Sequence, residues 1–149
     1  MITRNILFVC IHNSARSQMA EAFLNKYGGD TFKAESAGLE PGKLNVNVVK
    51  VMQEIGIDIS KNKTKDVLGF IKENRKFNAV ITVCDAASAE SCPVFPGIVK
   101  RIGWSFPDPS SFSGTPEEIL EYTRKVRGEI KEAVLDFIKD AKQMEYWTN

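Results

Sequence analysis

At 149 residues, 43% of them apolar, the chain fits one domain, 1–149, with one core that needs no disulfide or metal staple. Twenty basic residues against nineteen acidic leave a net charge of +1, which excludes a broad basic face for nucleic acid or an acidic membrane, so any anion must be caught locally. No run reaches the about eighteen apolar residues of a membrane span, Ile6 to Cys10 is too short for a signal peptide, and three cysteines at 10, 84 and 92 make no secreted framework; a cytoplasmic, monomeric protein is expected.

Ile6-Leu7-Phe8-Val9 reads as a strand buried on both faces, as at the centre of a parallel sheet, with Cys10 at its carboxyl end. From Ser17 to Tyr27, Met19, Ala20, Phe23, Leu24 and Tyr27 recur at helical spacing, and Gly28-Gly29 stops the helix. Phe32 to Ser36 forms a second strand, ended by Ala37-Gly38. Asn45 caps a helix in which Val48, Val49, Met52 and Ile55 repeat before Gly56. A helix from about Lys65 to Arg75 precedes a buried strand, Ala79 to Cys84, and a fourth strand is expected between Ile98 and Trp104. Phe106 to Thr115 is a Pro- and Ser-rich loop. The last helix has Thr115 as N-cap, Pro116 first, Glu118 completing a capping box, and Ile119, Tyr122, Val126, Ile130, Val134, Phe137 and Ile138 facing inward. Gly128 costs that helix about 1 kcal/mol relative to alanine. Tyr146 and Trp147 either pack on the domain or fray. The alternation predicts a doubly wound α/β fold, a three-layer sandwich whose four-stranded parallel sheet is flanked by helices.

The chemistry sits in Cys10-Ile11-His12-Asn13-Ser14-Ala15-Arg16-Ser17. A turn from a buried strand into a helix aims free backbone N–H groups and the positive helix end at one point, where an oxyanion fits. Cys10 and Arg16 bracket five residues, which sets a thiol at the base and a guanidinium that closes over the same anion. The helix end and the cation favour the nucleophilic thiolate. Ser17 can donate to the sulfur, and Asn13 can brace the loop in unusual dihedrals.

FVCIHNSARSQMAEAFLNKY, the later ESAG and GIDIS, the VCDAASAESCPVFPG loop and W-x3-DP at Trp104 to Pro109 resemble the thioredoxin-coupled arsenate reductases, built on the low-molecular-weight tyrosine phosphatase fold. The resemblance spans about Asn5 to Lys139. It implies that arsenate binds the loop from Cys10 to Ser17, that Cys10 attacks it, and that Asp108 protonates the leaving oxygen. It further implies that Cys84 displaces arsenite to give a Cys10–Cys84 disulfide and that Cys92 resolves this to a Cys84–Cys92 disulfide, which thioredoxin reduces. Seven residues separate Cys84 from Cys92 where the resemblance leads one to expect six. Asn13, Glu21, Ser36 and Asp66 match positions that hold potassium in some members; no tightly bound cofactor is expected.

A tyrosine phosphatase using Cys10, Arg16 and Asp108 is the alternative, against which stand Ser110 and Ser111 where a tyrosine is usual and two cysteines left without purpose. A phosphocarrier would have no use for Arg16. Zinc at Cys10, Cys84, Cys92 and His12 lacks any C-x2-C pair, and His12 reads as a solvated loop residue.

Overall fold

A computed structural model describes residues 2–84 and 99–148 of the chain. The first strand, β1 (Arg4–Cys10), carries five consecutive buried residues at its carboxyl half. Their alternation serves two layers: Ile6, Phe8 and Cys10 enter one core cluster, and Leu7 and Val9 enter another on the opposite face. Helix α1 (Arg16–Tyr27) follows and returns the chain to β2 (Phe32–Gly38), which pairs with β1 in parallel. Helices α2 (Val46–Gln53) and α3 (Val67–Lys72) then lead to β3 (Ala79–Thr82), on the other side of β1. β4 (Lys100–Gly103) adds the outer strand, and α4 (Pro116–Ala141) closes the domain.

The sheet order is β2-β1-β3-β4, with every pair parallel. One core cluster joins the sheet to α1, α2 and α4 through residues such as Met19, Phe23, Met52, Ile130 and Phe137. Val67 and Phe70 of α3 cover the other face with Phe77. The expected three-layer α/β sandwich is therefore the fold. The chain steps from β1 to β2 one way and from β2 to β3 the other, so the crevice outside the carboxyl ends of β1 and β3 is the switch point where ligands sit in such sheets. No helix among the described residues is long and apolar enough to cross a membrane.

Several boundaries differ from expectation. α2 ends at Gln53, leaving Ile55 exposed, and Val51 takes an inner position. α3 is a short helix, not the span from Lys65 to Arg75, because the Asp66 side chain accepts from Leu68 N–H and caps it late, while Asn74 at φ 55° stops it early. In α4, Tyr122 lies outside, edge-on to Phe112, and Thr123 is buried instead with its hydroxyl donating to Ile119 carbonyl at 2.7 Å. Ile119 is half-buried. β3 ends at Thr82, although Val83 still donates to Val9 carbonyl. The tail packs: Trp147 donates to Ala141 carbonyl at 2.7 Å, Tyr146 meets Phe137 edge-on, and Arg4 lies over the Trp147 ring.

Candidate active site

The loop between β1 and α1 is held from outside by its carbonyls. Cys10, Ile11, His12 and Ser14 accept from the backbone N–H groups of Leu39, Glu40, Gly42 and Asn45, at 2.7 to 3.2 Å. Asn13 carbonyl accepts from Gln18 Nε2, and Ala15 carbonyl from Met19 N–H. A trans peptide directs its N–H opposite to its C=O, so anchoring the carbonyls outward turns the amides inward. Ala15, at the start of α1, provides no side-chain cap, which leaves the first-turn donors of the helix to whatever occupies the loop. Asn13 adopts φ 56°, a conformation that asparagine tolerates, and is wholly buried.

Cys10 Sγ lies at the floor of this ring. It accepts from Asn13 N–H at 2.9 Å and meets Ser17 Oγ at 2.9 Å. Asn13 Nδ2 donates to the same Ser17 oxygen at 2.8 Å, which leaves the Ser17 proton free to turn to sulfur. Arg16 is buried: Nη1 donates to Phe106 carbonyl at 3.1 Å, and Nη2 lies 3.7 Å from Asp108 Oδ2. Asp108 caps a 3-10 turn (Pro109–Ser111) by accepting from Ser110 N–H, and Asn45 Nδ2 reaches Ser110 Oγ at 2.9 Å. Asn45 thus fastens the loop bearing Asp108 to the oxyanion loop. His12 is exposed, with Nδ1 donating to Glu40 carbonyl, and takes no part in the ring.

Cys84 is buried just beyond β3, on the same sheet edge as Cys10. It is disulfide-bonded, and Cys10 is the free thiol among the described residues. Cys92 lies outside the described residues, and with it the expected Cys84–Cys92 pairing.

Three contributors escaped sequence reasoning. Gln18 is wholly buried, bonded to Asn13, to Lys63 carbonyl and to Asn62. Gly38 touches the ring so closely that a Cβ there would stand 2.7 Å from Ile11 carbonyl and 2.8 Å from Asn13 N. Lys65 donates its N–H to Asn13 Oδ1 at 2.9 Å and accepts from Gly38 N–H at 2.8 Å. A polar residue on the inner face of α1 was the available signal for Gln18; nothing local marks Lys65.

Asn13, Glu21, Ser36 and Asp66 do not fit a potassium ion as they stand. Asn13 Oδ1 accepts from Lys65 N–H and from Gln18, and Asp66 Oδ1 from Leu68 N–H. Glu21 Oε1 accepts the Ser36 hydroxyl at 3.1 Å and lies 3.5 Å from Lys65 Nζ, so a full positive charge already faces this carboxylate. Burial raises the Glu21 carboxyl above its ordinary range, and Lys65 opposes the rise.

A doubly wound sheet whose switch point holds a buried cysteine and arginine in one strand-to-helix loop is the arrangement of a phosphatase-like class of protein. The model of the low molecular weight phosphotyrosine protein phosphatase family matches residues 5–145, and the chain belongs to that family. It is similar to the arsenate reductase of Bacillus subtilis, with 43% identity covering 95% of this chain and all of that one. Among solved structures it resembles an arsenate reductase in the phosphate binding state, with a TM-score of 0.74 and 31% identity over 92% of this chain and 98% of that one. The thioredoxin-dependent arsenate reductase of Corynebacterium glutamicum gives a TM-score of 0.64 at 28% identity, covering 95% of this chain and 64% of that one.

Proposed function

We propose that this protein is a cytoplasmic, monomeric, single-domain arsenate reductase that recycles through thioredoxin. The observation that carries the reading is Cys10 Sγ, taking Asn13 N–H and Ser17 Oγ at 2.9 Å at the foot of an uncapped helix and beneath the buried Arg16. Arsenate seats its oxygens on the inward amides of Ile11 to Ala15 and on Arg16. The Cys10 thiolate attacks arsenic while Asp108 gives its proton to the departing oxygen, so water leaves and a sulfur–arsenic bond remains.

Cys84 then attacks Cys10 Sγ. A Cys10–Cys84 disulfide forms, the sulfur–arsenic bond breaks, and its electron pair stays on arsenic, which departs as arsenite. Cys92 attacks Cys84, freeing the Cys10 thiolate and leaving a Cys84–Cys92 disulfide for the thioredoxin dithiol. Support for a relay comes from the parallel register, which brings Cys10 and Cys84 to one edge of adjacent strands. The Bacillus relative's activity and the thioredoxin dependence of the Corynebacterium neighbour support it further.

The test is arsenate-dependent NADPH oxidation with thioredoxin and thioredoxin reductase. Turnover by the native protein, and its loss in Cys92→Ser, are the expected results. Turnover with glutaredoxin and glutathione alone would remove thioredoxin from the scheme. Hydrolysis of an aryl phosphate without arsenate turnover would make the protein a phosphatase.

A further inference from the structure

Lys65 is joined to the oxyanion loop at more points than its place in the sequence suggests. Its N–H holds Oδ1 of Asn13, whose Nδ2 donates to Ser17 Oγ. Its carbonyl holds Gly38 N–H, at the glycine pressed against the backbone of Ile11 to Asn13. Its ammonium lies 3.5 Å from Glu21 Oε1 and donates to Lys63 carbonyl at 3.4 Å. Glu21 in turn accepts from Ser36, so α1, β2 and the segment before α3 converge on one carboxylate beneath the loop.

A carboxylate with a side chain only 15% exposed needs a compensating positive charge. We propose that Lys65 is a positioning residue that serves as a built-in monovalent cation, so that the oxyanion loop is held in its binding shape without any bound metal ion. The geometry favours this over an added ion because Glu21, the carboxylate that would hold one, already faces an ammonium at 3.5 Å. An ammonium tethered to the backbone node that orders Asn13 has an advantage over a free ion: it is present at unit occupancy at any salt composition.

This inference rests on the oxyanion-binding role of the loop, and its test is built so that the two can fail separately. Thermal unfolding and inorganic-phosphate binding by calorimetry are measured in KCl and in choline chloride at equal ionic strength, for the native protein, Lys65→Met and Lys65→Arg. The native protein and Lys65→Arg should give the same Tm and phosphate Kd in both salts. In choline, Lys65→Met should bind phosphate about fivefold to tenfold more weakly, and KCl should restore it. A native Tm that rises saturably with potassium over choline overturns the proposal, as does a Lys65→Met protein that matches the native one in choline. The unfolding comparison uses no oxyanion, so it decides on Lys65 even where phosphate fails to bind and the loop's proposed role falls; it also decides if Lys65→Met does not fold.

Discussion

Ser17 and Gly38 both bear on the loop after Cys10, one by a hydrogen bond to the sulfur and one by the absence of a side chain against the backbone. Ser17→Ala removes one of two described hydrogen bonds to Cys10 Sγ. It should slow alkylation of Cys10 by iodoacetamide at neutral pH and lower stability by about 1–3 kcal/mol, because the buried Asn13 Nδ2 loses its acceptor. An unaltered alkylation rate would show that the hydroxyl does not act on the sulfur. Gly38→Ala places a Cβ 2.7 to 2.9 Å from Ile11, Asn13 and His12 backbone atoms, which cannot rotate away as a side chain would. Phosphate affinity should collapse, with a loss of about 1–3 kcal/mol in urea unfolding; retained affinity would mean that the ring tolerates displacement. At this scale the sequence was legible where one short segment carries the chemistry. Cys10, Arg16 and Ser17 announce themselves by spacing and Asp108 by the family resemblance, whereas Gly38 and Lys65 matter because separate segments meet the loop, and a linear reading holds no distance between them.

The elements follow their periodicity in proportion to its length. α4 repeats over seven turns and was placed to its capping box, in which Thr115 Oγ1 accepts from Glu118 N–H and Glu118 Oε1 from Thr115 N–H. Its one misassigned inner position, Tyr122 for Thr123, arises because a hydroxyl that bonds back to Ile119 carbonyl can be buried at no polar cost. α3 was overextended because six helical residues offer less than two turns of pattern, and its start is set by a cap at Asp66 rather than by hydrophobic spacing. Two substitutions test the account of α4. Thr115→Ala should lower stability by about 1 kcal/mol through loss of the cap. Gly128→Ala, exposed and with open space where the Cβ would sit, should raise it by about 0.5–1 kcal/mol. Chemical denaturation reads both, and a destabilised Gly128→Ala would reveal a contact that the helix face does not show.

Over the whole molecule, one charge network ties α2's end to α4. Glu54 accepts from Arg124 and Arg127, and Arg124 also reaches Glu117 and Glu121. The Arg124 hydrogen bond holds the Glu54 carboxyl down at about 2. A carboxyl depressed in the folded state contributes stability above its unfolded value, near 4.5, and loses it as pH falls toward 2. Because the pair is open to water, the contribution is small and salt-sensitive. Glu54→Gln should therefore flatten the fall of Tm between pH 4.5 and 2, and more visibly at low salt; an unchanged acid limb would assign the loss to other carboxylates.

The outward-anchored carbonyls of the oxyanion loop carry a consequence for competition inside a cell. Under the proposed function, a ring ordered by its own protein contacts waits in its binding shape, and any tetrahedral dianion of the right size would fill it. Phosphate would then compete for the site, and arsenate would gain it only in proportion to its share of such anions. Under the proposed function, selection between the two falls after occupancy: arsenic accepts the electron pair of the broken sulfur bond and leaves reduced, while phosphorus has no matching exit. The protein would discriminate by the redox chemistry of the guest's central atom, with phosphate acting as a reversible brake on the rate.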